Sequence, residues 1–225
     1  MRFTFVKSHL YIYRMGINSD ELKDYLERFC EPEPLLLQQI NRETNLKVLM
    51  PRMVSGHYQG RVFSMLSKII SPKNVLEIGT FTGYATLCFA EGLAEDGKII
   101  TLDINEELED RVRNYFKVSG FEDKIDYRIG NATQLLADID VVFDMVFIDA
   151  DKKNNYAYYE MVFDKVRPGG IIIIDNVLWS GKVVNGDEDS ATAGISNFND
   201  LINADKRVEK LILPVRDGIY IIRKK

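Results

Sequence analysis

The chain has little cysteine. Cys30 and Cys88 are the only two in 225 residues, and they lie far apart. That excludes a zinc finger and a C-x-x-C redox pair. Cys88 sits in an apolar helical pattern, where it reads as core, and a reducing cytosol fits. Long apolar runs are also missing, so no segment is expected to cross a bilayer. The first residues, "MRFTFVKSHLYIYRMG", carry an early Arg, but Lys7 and His9 break the apolar part. No small-residue cleavage pattern follows, so a signal peptide is not expected. Met15 offers a second start, which would make residues 1–14 an extension. Excess positive charge is absent too. The net charge is -5, so no global field draws in nucleic acid or an acidic membrane, although a local basic patch stays open. There is no internal repeat and no low-complexity segment.

What is there is ordinary for a cytoplasmic globular protein: 46% hydrophobic and 28% charged residues. The length suits one domain, 1–225, with helices over 18–71 and an α/β core over 73–225. "NSDELKDYLERFC" carries Leu22, Tyr25, Leu26 and Phe29 at helical spacing, and Pro32 and Pro34 break it. "PLLLQQINRETNL" and "GRVFSMLSKII" give two more helices, the last stopped at Ser71-Pro72. Then the rhythm changes. "NVLEIG", "KIITLDI", "KIDYRIG", "DMVFID" and "GIIIID" read as strands. Between them "YATLCFAEGLA", "EELEDRVRNYFKVSG", "ATQLLAD" and "NYAYYEMVFDKV" read as helices. Such alternation predicts βαβ units and a parallel sheet. The nearly all-apolar strands predict helices on both faces. A long loop is expected over 176–194, then a helix from Ile195. Two final strands joined at Asp217-Gly218 predict an antiparallel hairpin.

In open α/β sheets, ligands bind outside the carboxyl ends of the strands. The first strand ends "LEIGTFTGYATL", with Glu77, Gly79 and Gly83. This is not G-x-G-x-x-G, and Glu77 would repel a phosphate. A cationic ligand without phosphates fits better, and S-adenosylmethionine is one. Asp103 ends the second strand, placed to accept both ribose hydroxyls. The plainer alternative is a tight βα turn followed by an Asp that caps a helix. Later, "MVFIDADKKNNY" and "IIIIDN" each stop an apolar strand at an acid. Helix capping explains one such Asp but not the repetition.

"VLEIGTFTGYATL", "ITLDIN", "VFIDADKKNNY" and "IIIIDNVLWSGKVV" occur in order and together resemble the cation-dependent O-methyltransferase family of catechol and caffeoyl-CoA methyltransferases. The resemblance spans about Met53 to Lys225. It implies a Rossmann-like class I methyltransferase fold: a seven-stranded, mostly parallel sheet with an antiparallel C-terminal hairpin, helices on both faces and N-terminal helices added. It implies cofactor contacts from Met53, Ser55, Glu77, Gly79, Thr80, Gly83, Asp103, Ala132 (at the adenine), Asp149, Asp151 and Tyr158. Ala85 stands where plant members often have Ser. The fourth and fifth strands become neighbours, so Asp149, Asp175 and Asn176 offer three oxygen ligands that suit Mg²⁺ or Mn²⁺. Lys152 becomes the general base, with Lys153 a solvated neighbour. A vicinal-hydroxyl, catechol-like small molecule is the expected acceptor, and a hydroxylated tRNA base the alternative. Ser180 stands where plant members present an Asn to substrate. Trp179 is placed to stack on an aromatic ring or to anchor its loop. The resemblance also implies a homodimer. A nicotinamide oxidoreductase and a cofactor-binding protein without catalysis are the competing classes. No Tyr-x-x-x-Lys order follows Lys152, which disfavours the first.

Overall fold

The computed structural model describes residues 20–186 and 189–225. The proposed extension over 1–14 and the first residues of the expected opening helix lie outside them. Three helices come first: α1 (Asp20–Arg28), α2 (Leu35–Lys47) and α3 (Gly56–Ile70). An alternating run follows: β1 (Asn74–Ile78), α4 (Tyr84–Ala90), β2 (Lys98–Asp103), α5 (Glu109–Ser119), β3 (Ile125–Ile129), α6 (Ala132–Ala137), β4 (Phe143–Ile148), α7 (Asn155–Phe163) and β5 (Val166–Asp175). Short α8 (Lys182–Asn185), α9 (Ser190–Ala204), β6 (Val208–Leu213) and β7 (Ile219–Lys224) complete it.

One seven-stranded sheet results, in the order β3-β2-β1-β4-β5-β7-β6. The first five strands pair in parallel, and β7 runs antiparallel to β5 and β6. The sheet is the one its apolar strands predict. Along β4, Met145 and Phe147 enter the core under α2, α3 and α4, while Val146 and Ile148 enter the core under α6, α7 and α9. Successive side chains face opposite sides of a strand, so a strand covered on both faces must be apolar throughout. Phe147 packs against Phe63 and Phe89 with ring centroids 4.8 and 5.3 Å away. Burying each such ring stabilises the fold by roughly 1.5–3 kcal/mol.

Several boundaries differ from expectation. Helix α3 starts at Gly56, four residues before the expected start, which brings Gln59 into its buried face. Strand β5 starts at Val166 and not at Gly170. Pro168 and Gly169 lie within it, at a shift in the β4–β5 register, where a missing N–H is tolerated. The expected 176–194 loop holds a 3-10 turn at Trp179–Gly181, α8 and the start of α9. Asp189 sets that start: its carboxylate accepts from the Thr192 amide (3.1 Å) and hydroxyl (2.7 Å), an N-cap that hydropathy alone does not show. Finally, Leu213 pairs with Ile219, so the hairpin connection is residues 214–218, longer than a two-residue turn. No helix among the described residues is long and apolar enough to cross a membrane.

Candidate active site

Strand order reverses between β1 and β4, because β2 and β3 lie to one side and β5 and β7 to the other. A crevice opens outside the carboxyl ends of strands at such a point. The chain after β1 enters it through Gly79, at φ +103. A β-carbon there would lie 2.3 Å from the Asp149 carbonyl oxygen, so only glycine fits. Gly83 has another cause: a β-carbon would meet the Phe116 ring at 2.7 Å. It opens α4 in the left-handed region, and packing explains it without a ligand.

A small cavity at this crevice is lined by Met53, Ser55, Gly79, Thr80, Ala85 and Asp149 among the expected residues, and also by Val54, Phe81, Thr82, Tyr84 and Phe147. Glu77, two residues before Gly79, is fully buried. One carboxylate oxygen, Oε2, accepts from the Thr101 hydroxyl at 2.6 Å and from Thr86. The other, Oε1, has no partner. Burial, and then the charges of Asp103 and Asp149, push its pKa up to about 8 against the two threonine bonds. Asp103 is held from two sides, by the amides of Phe81 (2.6 Å) and Asn105 (2.8 Å). Ala132 sits apart from the cavity lining, at the start of α6, where Asn131 caps the helix by accepting from the Thr133 amide.

Strands β4 and β5 are paired neighbours, with Ile148 opposite Ile174. Asp149 and Asp175 follow directly, so their carboxylates share one end of the sheet. Neither caps a helix. Asp149 accepts from Lys152 Nζ at 2.7 Å. Asp175, buried, accepts from Gln59 Nε2 and from the Asn176 amide, each at 2.7 Å. Asp151, the residue before the next helical turn, accepts from the Tyr158 hydroxyl (2.7 Å) and Asn154 Nδ2 (2.5 Å), with no side-chain bond to a helix amide. Capping therefore does not account for the acids. Burial first, and then the neighbouring Asp149 charge, hold Asp175 well above the ordinary carboxylate range.

The chain matches the O-methyltransferase family model over residues 27–225. The chain belongs to this family. Caffeoyl-CoA O-methyltransferase 1 of Arabidopsis thaliana is 35% identical over 223 residues, covering 92% of this chain and 86% of the relative. Caffeoyl-CoA O-methyltransferase 2 of Zea mays is 36% identical over 223 residues, 92% and 84% of the two chains. Among solved structures, the O-methyltransferase from Bacillus cereus in complex with SAH superposes with a TM-score of 0.83 at 32% identity, over 91% of this chain and 97% of that one. The fold is thus that of the class I O-methyltransferases, and the protein is an S-adenosylmethionine-dependent O-methyltransferase. The nicotinamide alternative falls away. Two residues at the O-methyltransferase site carry no signal in the sequence: Gln59, whose partner Asp175 is 116 positions away, and Arg216, which binds Gln59 across 157.

Proposed function

We propose that this O-methyltransferase methylates one hydroxyl of a vicinal-hydroxyl, catechol-like small molecule, with a divalent cation held by Asp149, Asp175 and Asn176. The observation that carries the reading is the pair of carboxylates on neighbouring strand ends, Asp149 and the buried Asp175. Three oxygen donors without sulfur or imidazole suit Mg²⁺ or Mn²⁺. When bound, such a cation lowers the pKa of a chelating hydroxyl. Lys152 is the general base: its Nζ, now on Asp149, takes the proton of the acceptor hydroxyl.

The same crevice suits S-adenosylmethionine. Asp103 accepts the ribose hydroxyls, and Glu77 Oε1, unpartnered and buried, awaits positive charge from the methionine end. The Gly79 turn carries Thr80 and faces Met53, Ser55 and Ala85. Ala132 meets the adenine, and Asp151, oriented by Tyr158, stands near the methionine end. The residues contribute orientation and electrostatics. Tyr25, Phe29, Leu35, Leu46 and Leu49 stand exposed on and around α1 and α2, which supports pairing of two copies.

The test is a methyl-transfer screen over catechols, caffeoyl thioesters, flavonoids and bulk tRNA. EDTA is expected to abolish transfer and Mg²⁺ or Mn²⁺ to restore it, with Ca²⁺ poor because it prefers longer bonds and more ligands. Mono-hydroxyl analogues are expected to be refused. Full activity in EDTA on a mono-phenol would sink the cation mechanism, and transfer to tRNA alone would replace the acceptor.

A further inference from the structure

The connection between β6 and β7 holds two residues that the proposed chemistry leaves unused, and each reaches a different segment, Arg216 the 52–59 stretch and Asp217 the 178–180 turn. Arg216 is exposed overall and sits at φ +49, a left-handed conformation unfavourable to a residue with a β-carbon. Its guanidinium is nevertheless held through both Nη nitrogens. Nη1 donates to the carbonyls of Val54 (2.7 Å) and Ser55 and to Gln59 Oε1 (3.0 Å), and Nη2 donates to the Arg52 carbonyl (3.1 Å). Gln59 is 1% exposed, and its Nε2 donates to Asp175 Oδ2. The chemistry of these groups sets a direction. A guanidinium only donates, so it draws the amide oxygen of Gln59 toward itself. The amide nitrogen is left facing Asp175, and the flipped amide would lose both bonds. Next to Arg216, Asp217 accepts from the Ser180 amide through its side chain and from the Leu178 amide (2.9 Å) through its backbone.

We propose that Arg216 is a positioning residue. Through Gln59 it orients Asp175 for the cation, and directly it holds the backbone of 52–55 on the cofactor side. The inference rests on the reading that Asp175 is a cation ligand. A purely structural brace predicts something else: lost thermal stability with unchanged ligand affinities.

The experiment titrates Mn²⁺ into the full chain saturated with S-adenosylhomocysteine, following free Mn²⁺ by electron paramagnetic resonance. S-adenosylhomocysteine affinity is measured separately by calorimetry. Gln59→Leu is expected to weaken Mn²⁺ ~10-fold, as losses of groups that orient metal ligands do, with S-adenosylhomocysteine affinity within about twofold of wild type. Arg216→Ala is expected to weaken Mn²⁺ to a similar degree and S-adenosylhomocysteine as well, because it alone touches 52–55. The double variant should bind Mn²⁺ no more weakly than the worse single, since both residues lie on one path. Circular dichroism checks folding. If Arg216→Ala does not fold, Gln59→Leu and Arg216→Lys decide. Asp175→Ala separates the two ideas. If it loses Mn²⁺ while Gln59→Leu and folded Arg216 variants keep wild-type affinity, the positioning role is overturned and the cation site stands. If Asp175→Ala keeps Mn²⁺, the cation site and the proposal fall together.

Discussion

Strand β4 carries an acid near each end, and the protein treats them differently. Asp144 and Asp149 are nearly equally exposed, at 18% and 23% of the side chain. At the amino end, Asp144 accepts from Arg167 Nε (2.6 Å) and from the amides of Lys73 (2.8 Å) and Asn74 (2.9 Å). Against the cost of burial, those bonds hold its pKa below the ordinary value. At the carboxyl end Asp149 has Lys152 and an acidic neighbour, Asp175 is pushed up, and Glu77 is pushed up to about 8 with an oxygen unpartnered. A buried acid short of donors costs the fold free energy. Such groups gather where a ligand supplies the missing charge. At one end of the sheet the chain supplies three donors to a single acid, and at the other Glu77 keeps an oxygen without a protein partner.

The largest effect should come from Lys152, whose bond to Asp149 matches the Arg167–Asp144 pair in length. Lys152→Met should lower kcat by about 10²–10⁴-fold, the usual worth of a general base, with S-adenosylmethionine affinity near wild type. Lys153→Met should do little. Single-turnover rates decide, and equal losses in the two variants would reduce Lys152 to an ordinary ion-pair partner.

Glu77 sharpens the contrast through pH. Below its ordinary value of 4.5, both folded and unfolded chains carry the proton, so nothing is lost. Between 4.5 and about 8 the unfolded chain ionises while the folded one does not, so stability falls as pH rises and then levels off. Glu77→Gln should remove that slope. The gain at pH 7 is up to about 3 kcal/mol and vanishes at pH 4, while S-adenosylmethionine affinity drops. Urea unfolding across this range is the measurement, and parallel curves for the two proteins would mean that Glu77 bears no such cost.

Asp144 should show the opposite sign and the smallest effect. Its folded pKa is depressed, so its contribution is present above the ordinary carboxylate range and fades as pH falls below it. Asp144→Asn should cost about 1–2 kcal/mol at pH 7, less in acid, and leave KM for both substrates alone. A change in KM would join the two ends of the sheet and end the distinction.

The strands were legible because dry burial on both faces demands unbroken apolar runs, and the acids were legible because they end those runs abruptly. Asp149 and Asp175 could be placed side by side only once the family resemblance supplied the strand order, and the β4–β5 pairing bears that order out. Capping by Asp189 and the start of α9 were missed, since a cap is a local hydrogen bond that hydropathy does not register. One cause of Gly83 is not legible in the sequence: a phenylalanine ring 33 positions on leaves no room for a β-carbon there.

By itself, then, the order of residues determined the alternation of strands and helices, the acids that end β2, β4 and β5 and the glycine turns, because these depend on periodicity and local stereochemistry. Only the tertiary structure decided which acids are left short of donors. Lys73 and Arg167, which satisfy Asp144, are 71 and 23 residues away, and Gln59, which holds Asp175, is 116 away. Hydrogen-bond satisfaction is a property of distance in space, which chain order does not carry.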